Sequence, residues 1–404
     1  DLMIENNTIQ SPSGYFGSDG IALEDVNNDA NVHLKNNYIE RFENGLSSIN
    51  SSINSLTFSG DSIVDCDNGI IWDNADLGGL NDTLTLTNVV IQGSAINGLG
   101  CLSETNLLSL ETTGTKISDG DNGVVLDGNI QFIPNNISIN NINDYYILYG
   151  LTNSGLTHGA NVDATNSTFD GLLGSLMNEN ECFNAEDRIF HYTDNNDFPW
   201  VEYKQDFVYV SGNDGNDSIQ PAIDILPSAG NIVVKGITTG EYLNVPNALS
   251  ITASGLVSVN GIEINAPLEV LTVWNEIQVE DSLILTAGLI DTRAGLLTLG
   301  NFGSAEPGFV DQGGPTSYVN GALRRVVESS PIDTAYFPIG KAGDFRPMQM
   351  IISHSSNGDM AAYRADVVNS PVVGNTVDPT LTHVSAKRYW LILQNGNPSV
   401  TDVK

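Results

Sequence analysis

The sequence predicts an all-β protein: two right-handed parallel β-helices (β-solenoids) in tandem, followed by a β-sandwich-like module, the whole a fragment of a longer chain. Three observations predict it. The first is a repeat in residues 34–124, where a lead aliphatic residue is followed some six residues later by Gly and another aliphatic. It reads Ile39…Asn44-Gly45-Leu46, Ile63…Asn68-Gly69-Ile70, Ile91…Asn97-Gly98-Leu99 and Ile117…Asn122-Gly123-Val124. Looser copies led by Ile9, Ile142 and Phe169 extend it, with steps of 30, 24, 28, 26, 25 and 27 between leads. A period of this size marks one supersecondary unit stacked on copies of itself. The second is the make-up of each repeat, which carries short alternating segments such as Leu56-Thr57-Phe58 and Leu84-Thr85-Leu86-Thr87 and no amphipathic helix. Alternation of that length reads as a strand with one buried face, and without crossover helices a βαβ sheet is disfavoured. The third is composition: charged residues are 16% and hydrophobic residues 40%, with many Asn, Gly, Ser and Thr. That suits turn-rich β structure outside the cell.

Residues 1–185 form the first solenoid, of about seven coils. Stacked coils bring equivalent residues to the strand spacing of ~4.8 Å. Ile39, Ile63, Ile91 and Ile117 then make an aliphatic ladder inside. Asn44, Asn68, Asn97 and Asn122 make an amide ladder, expected at a turn because Asn tolerates left-handed backbone angles. Residues 186–206, richer in charge and aromatics, break the period. They read as an end cap and linker, because an open solenoid end exposes core and strand edges.

Residues 207–316 begin afresh. Phe207-Val208-Tyr209-Val210 is a strand, residues 218–226 a short helix, Ile232-Val233-Val234-Lys235 a strand, and Gly240-Glu241-Tyr242 follows. This order resembles the N-terminal cap of pectate-lyase-like β-helices, and it implies a second, shorter solenoid. From Ser317 the texture changes to alternating strands with Pro/Gly turns, read as an incomplete β-sandwich-like module over 317–404.

The formal charge of −34, from 49 acidic and 15 basic residues, excludes nucleic acid as a partner and docking on anionic lipid. No apolar run is long enough to span a membrane as a helix, so direct membrane insertion is not expected. Cys66, Cys101 and Cys182 are too few and too widely spaced for a disulfide framework or a zinc site, and read as buried small side chains. Asp1-Leu2-Met3-Ile4 enters a repeat directly and Thr401-Asp402-Val403-Lys404 closes nothing, hence the reading of a fragment.

The motifs after residue 276 carry a second resemblance. A strand ending Leu297-Thr298-Leu299-Gly300 precedes Ser317-Tyr318-Val319-Asn320-Gly321-Ala322-Leu323-Arg324-Arg325, then Phe337-Pro338-Ile339-Gly340 and Phe345-Arg346-Pro347. The series is similar to a module of large secreted surface proteins of the Bacteroidetes. The resemblance implies a type IX secretion cargo working as adhesin, gliding-motility protein or coat, secreted to the cell surface. Its partners would be surface glycans or other cell-surface and secretion-machinery proteins. It also implies O-glycosylation where Asp-Ser/Thr precedes an aliphatic or Ala residue, at Ser62, Thr83, Ser218, Ser282 and Thr334.

Chemistry is sparse, and no catalytic residue is assigned. Asp65, Asp119 and Asp144 each lie two residues after a lead Ile, so they share one face. Asp65 and Asp119 have Gly93 between them, which puts them ~10 Å apart, just beyond the span of a glycosidase pair. A lyase needs Lys or Arg beside a Ca²⁺-binding carboxylate cluster, and Lys35, Arg41 and Lys116 lie near none. Thr157-His158-Gly159 has only a faint likeness to a polygalacturonase Gly-His-Gly. Ca²⁺ remains a cofactor candidate at Asp25, Asn27 and Asp29 and at Asp214 and Asp217, which are oxygen-rich but lack the distal Glu of an EF-hand. Trp72, Trp200, Trp274 and Trp390 are expected in core or caps. The rival to a non-catalytic surface protein is a carbohydrate-active β-helix enzyme; a cargo captured with its export machinery is a third reading.

Overall fold

A computed structural model describes residues 1–12, 17–24, 26, 30–49, 53–74, 82–150, 160–212, 218–293, 295–301, 306–327, 333–354, 361–371, 387–395 and 400–403. The described residues are 67% strand, with two short α-helices and a parallel β-solenoid of about 12 turns. It forms two compact units, Asp1–Gln205 and Asp206–Gly212 with Ser218–Lys404.

In the first unit each coil adds strands to the coil before it, in parallel and in register. Ile9, Ile39, Ile63, Ile91, Ile117, Ile139 and Phe169 are successive partners. The expected ladder is therefore real, with one correction: Ile139, not Ile142, stands beside Ile117, and Ile142 faces Gly120. A second column runs Ile21, Leu46, Ile70, Leu99, Val124, Ile147 and Ile189. Every residue named in these two columns from Ile39 to Ile189 is buried. Each aliphatic burial is worth about 2 kcal/mol, so the columns are the main cohesive term along the stack.

The glycine of the repeat has a packing role. A methyl added to Gly20 would come 2.6 Å from Ile39 Cγ2 and 2.7 Å from the Gly45 carbonyl. Gly45, Gly69, Gly98 and Gly123 meet the Ile of the following coil in the same way, through Ile63, Ile91, Ile117 and Ile139. The Asn before it also differs from expectation. Asn44, Asn68, Asn97 and Asn122 lie inside strands, none with a positive φ. Their ladder nevertheless forms. Each side-chain amide donates to the previous coil, from Asn122 to Asn97, Asn68 and Asn44, and ends on Asp19, at 2.7–3.2 Å.

Left-handed residues bracket the three-residue strands instead. Asn6, Asn36, Gly60, Asn88, Gly114 and Asn136 make one such column. Arg41, Asp65, Gly93, Asp119, Asn141 and Asp170 make the other. These are the residue types that tolerate φ near +60°, Arg41 excepted. Cys66 follows the second column while Cys101 pairs with Trp72 and Leu126 in the long strand, so the two thiols are apart; all three cysteines are buried and free.

The far end of this unit is closed by α1 (Glu179–Glu186), which starts in a capping box between Asn178 and Glu181. At its last residue Glu186 is buried together with His191 and Thr193. Glu186 Oε1 accepts from Thr193 Oγ1 at 3.0 Å and lies 2.9 Å from His191 Nε2. The Val201 N–H donates to His191 Nδ1 at 3.0 Å, so Nδ1 is the acceptor and the ring proton sits on Nε2, toward Glu186.

The second unit opens with Phe207–Ser211, paired in parallel to Gly230–Lys235 and then to Leu249–Ser254. The helix α2 (Ile219–Ile225) covers this start. Glu241, from the Gly-Glu-Tyr segment, accepts the Ile219 and Gln220 N–H groups at 3.0 and 3.2 Å and so caps α2 from the adjacent coil. Core columns include Leu243–Ile262–Leu283 and Val257–Ile277–Leu297–Leu323.

Parallel pairing runs on beyond residue 316. Ser317–Asn320 pairs with Glu276–Asp291, and Val319 with Ile339. Antiparallel structure then takes over. Leu323–Val327, Ala361–Val368 and Tyr389–Asn395 are neighbours in one sheet, and Asp333–Phe337, Met348–His354 and Val400–Val403 form another. The C-terminal region is thus a mixed sheet plus a small antiparallel one. Of the tryptophans, Trp72 and Trp200 are buried as expected, but Trp274 and Trp390 are exposed, and Trp274 carries Arg293 over its ring at 5.7 Å.

Candidate functional site

The face that sequence reasoning singled out is the second left-handed column. Asp65 and Asp119 do occupy equivalent places in it, with Gly93 between them: the Asp65 N–H donates to the Gln92 carbonyl and the Gly93 N–H to the Ser118 carbonyl, each at 2.9 Å. The two carboxylates are therefore two strand spacings apart, roughly 10 Å. Asp144 does not join them. Its strand shifts register between Gly120 and Asn122, and Asn141 takes the column position, with Asp170 one coil further on. The missed signal was Ile139, three residues before the chosen lead.

Asp119 is occupied by its neighbours. Its carboxylate accepts from Asn141 Nδ2 at 2.6 Å, Ser118 Oγ at 3.0 Å and Gln92 Nε2 at 3.0 Å. These bonds, Asn141's first and Ser118's next, hold its carboxyl below the usual carboxylate range against the opposing effect of burial. A general acid needs the reverse, a carboxyl held protonated. The Asn141 backbone N–H in turn donates to Asp170 Oδ1 at 2.7 Å, so Gln92, Asp119, Asn141 and Asp170 are laced together coil by coil.

A second polar group, missed by sequence reasoning, lies where the column meets the cap. Tyr146 Oη donates to Asp170 Oδ2 at 2.6 Å, and Arg188 Nη1 donates to Tyr146 Oη at 3.1 Å and to the Ile142 carbonyl at 3.0 Å. The guanidinium also lies 5.3 Å from the Tyr146 ring centroid. Burial first, then the bond to Asp170, push the phenol well above its ordinary pKa, so it stays protonated. The adjoining recess is only about 70 Å³, room for a few waters and no sugar ring. The arrangement suits a clamp between the last coils. Its residues are far apart in sequence, with no spacing that would have revealed them.

The calcium candidates Asp25, Asn27, Asp29, Asp214 and Asp217 lie outside the described residues, as does His158. Among the described residues no group of three or more His, Cys, Asp or Glu is placed to hold a metal. Of the five hydroxyls matching the glycosylation pattern, Thr334 is exposed, and Ser62, Thr83, Ser218 and Ser282 are partly buried. Ser62 stands beside a fully buried Asp61, and Ser218 precedes α2 without donating or accepting a cap bond.

The motifs of the surface-protein resemblance converge on one packing cluster. The Tyr318 ring packs on Phe345 at 5.6 Å, and a methyl on Gly340 would strike the Tyr318 ring. The Pro338 carbonyl accepts the Val319 N–H at 2.9 Å, and Asp344 takes Arg346 and Arg388, each at 3.0 Å. No known protein family, curated protein or solved structure matches this chain.

Proposed function

We propose that this chain is a non-catalytic, secreted cell-surface protein, a stalk, coat or gliding-type adhesin of the kind its C-terminal motifs resemble in the Bacteroidetes and their type IX secretion cargo. One observation carries the reading: the polar side chains of the candidate catalytic face bond to one another from coil to coil. Asp119 is held by Asn141, Ser118 and Gln92. Asp65 faces it only across Gly93. Such side chains lend stiffness rather than proton transfer. The −34 charge supports a hydrated, self-repelling surface. Partners on this reading are surface glycans or other cell-surface and secretion-machinery proteins. Thr334 is the most accessible of the proposed glycan attachment points.

The test is incubation of the purified protein with a panel of acidic and neutral polysaccharides, followed by reducing-end and unsaturated-product assays, alongside binding to a glycan array. No cleavage, with or without added Ca²⁺, is expected, together with retention on surface glycans or cells. Cleavage that disappears in both Asp65→Asn and Asp119→Asn would replace this reading with a carbohydrate-active enzyme.

A further inference from the structure

The second unit contains a cleft of about 510 Å³ at one corner of its coils. An irregularity in the stack creates it. Asn265 pairs with Ala287 but Val270 with Leu289, so residues 266–269 form a four-residue excursion opposite the single residue Gly288. Gly288 has φ +97°, and a methyl there would lie 2.5 Å from the Ala266 carbonyl oxygen, so no side chain fills the space. Pro267, Leu268, Val270, Leu289, Pro315 and Tyr318 supply most of the walls.

Two further features point to an occupant. Leu268 is 100% exposed at the mouth, with φ +66°. A bulky apolar residue in that backbone region, fully in water, is costly twice over, and such strain concentrates where ligands are held. Inside, Tyr318 is 1% exposed; the Gly343 N–H lies against its Oη, but the phenolic O–H finds no acceptor among the described residues. A buried O–H left without an acceptor is destabilising, and an acceptor atom in the cleft would relieve it. Burial, then the nearby Asp344 charge, push the phenol up, so it offers an O–H and not an oxyanion.

We propose that this cleft binds a small, neutral, largely apolar molecule bearing one hydrogen-bond-accepting oxygen, seated against Leu268 and accepting from Tyr318. The volume falls in the range of small-molecule sites. Glu269 on the rim and Asp344 near the phenol disfavour an anion. The Pro, Leu and Val walls offer a sugar's hydroxyls no partners. The site does not depend on the scaffold reading above, and either can fail without the other.

The probe is Nile red, a neutral apolar dye with a carbonyl acceptor, titrated into the whole chain and followed by its emission. Saturable one-to-one binding with blue-shifted emission is expected. Tyr318→Phe, which keeps the ring on Phe345, weakens it roughly 2- to 10-fold, the range for loss of one hydrogen bond. Leu268→Ser, a change at a fully exposed position, weakens it as well, and Ala287→Trp, which fills the cleft, abolishes it. Leu256→Ser, at an exposed apolar position outside the cleft, leaves it unchanged. Non-saturable binding, wild-type affinity in both Tyr318→Phe and Leu268→Ser, or loss in Leu256→Ser would each overturn the proposal.

Discussion

At the scale of single residues, polar side chains add to the cohesion of the aliphatic columns by bonding within their own coil and to the coil beside it. Asp61 is fully buried, and its carboxylate accepts from the Asn37 backbone N–H and Nδ2 at 2.8 Å each and from the Ser59 N–H at 2.9 Å. Asp61→Ala strands all three donors, at about 1–3 kcal/mol each. The expected loss, about 3 kcal/mol or more, is read as a lower urea midpoint at unchanged slope. Asp119 makes a gentler test, since it is exposed. Its folded pKa is depressed, chiefly by Asn141. The stability it contributes is therefore present above the unfolded carboxylate value of about 3.9 and lost as pH falls through the folded value. In an NMR titration Asp119 should have its midpoint below an ordinary Asp, and Asn141→Ala should move that midpoint up. An unmoved midpoint would mean the bond does not form in solution.

At the scale of the coil, the repeat was legible because its two anchors are mechanically coupled. Gly69 lacks a side chain because Ile91 of the next coil fills that place, so Gly and Ile recur in phase. Gly69→Ala should cost about 1–3 kcal/mol, the usual penalty of overpacking, and Ile91→Leu in the same chain, which removes the Cγ2 methyl that the new Cβ meets, should recover part of it. Calorimetry of the two single variants and the double variant reads this coupling directly. What stayed illegible was register. Asn-Gly has the composition of a turn, yet here the pair is extended, because stacking overrides local preference. The choice of Ile142 over Ile139 shows the same limit: both are aliphatic, and only pairing with Lys116–Ser118 separates them. The candidate site suffered more, since Asp144 was placed by counting from the wrong lead, and the Tyr146–Asp170–Arg188 group has no local signature.

At the scale of the whole molecule, composition foretold β structure correctly, while the C-terminal region was harder to read. Its motif from Ser317 to Asn320 pairs in parallel with the coil before it, and antiparallel strands follow. Alternation alone does not distinguish the two pairings. The net charge of −34 sets one global expectation. Self-repulsion is screened by salt, so the melting temperature should rise between low and physiological ionic strength and level off beyond it. A fall over that range would mean that ion pairs such as Arg324–Glu276 outweigh the repulsion.

The Gly–Ile interlock also makes each coil an interchangeable cassette. Ser62 is the partner of Val90 and Ile63 of Ile91. Excising residues 63–90 would splice Ile91 directly behind Ser62, leaving every surviving Gly with an Ile to receive. The expected product is a cooperatively folding protein one rung, ~4.8 Å, shorter. Excising residues 63–89 instead keeps almost the same sequence but turns the inward face outward at the junction, and that chain should aggregate or melt far lower. Length, in such a stack, can be edited in whole notches only, and the notch is defined by a missing side chain.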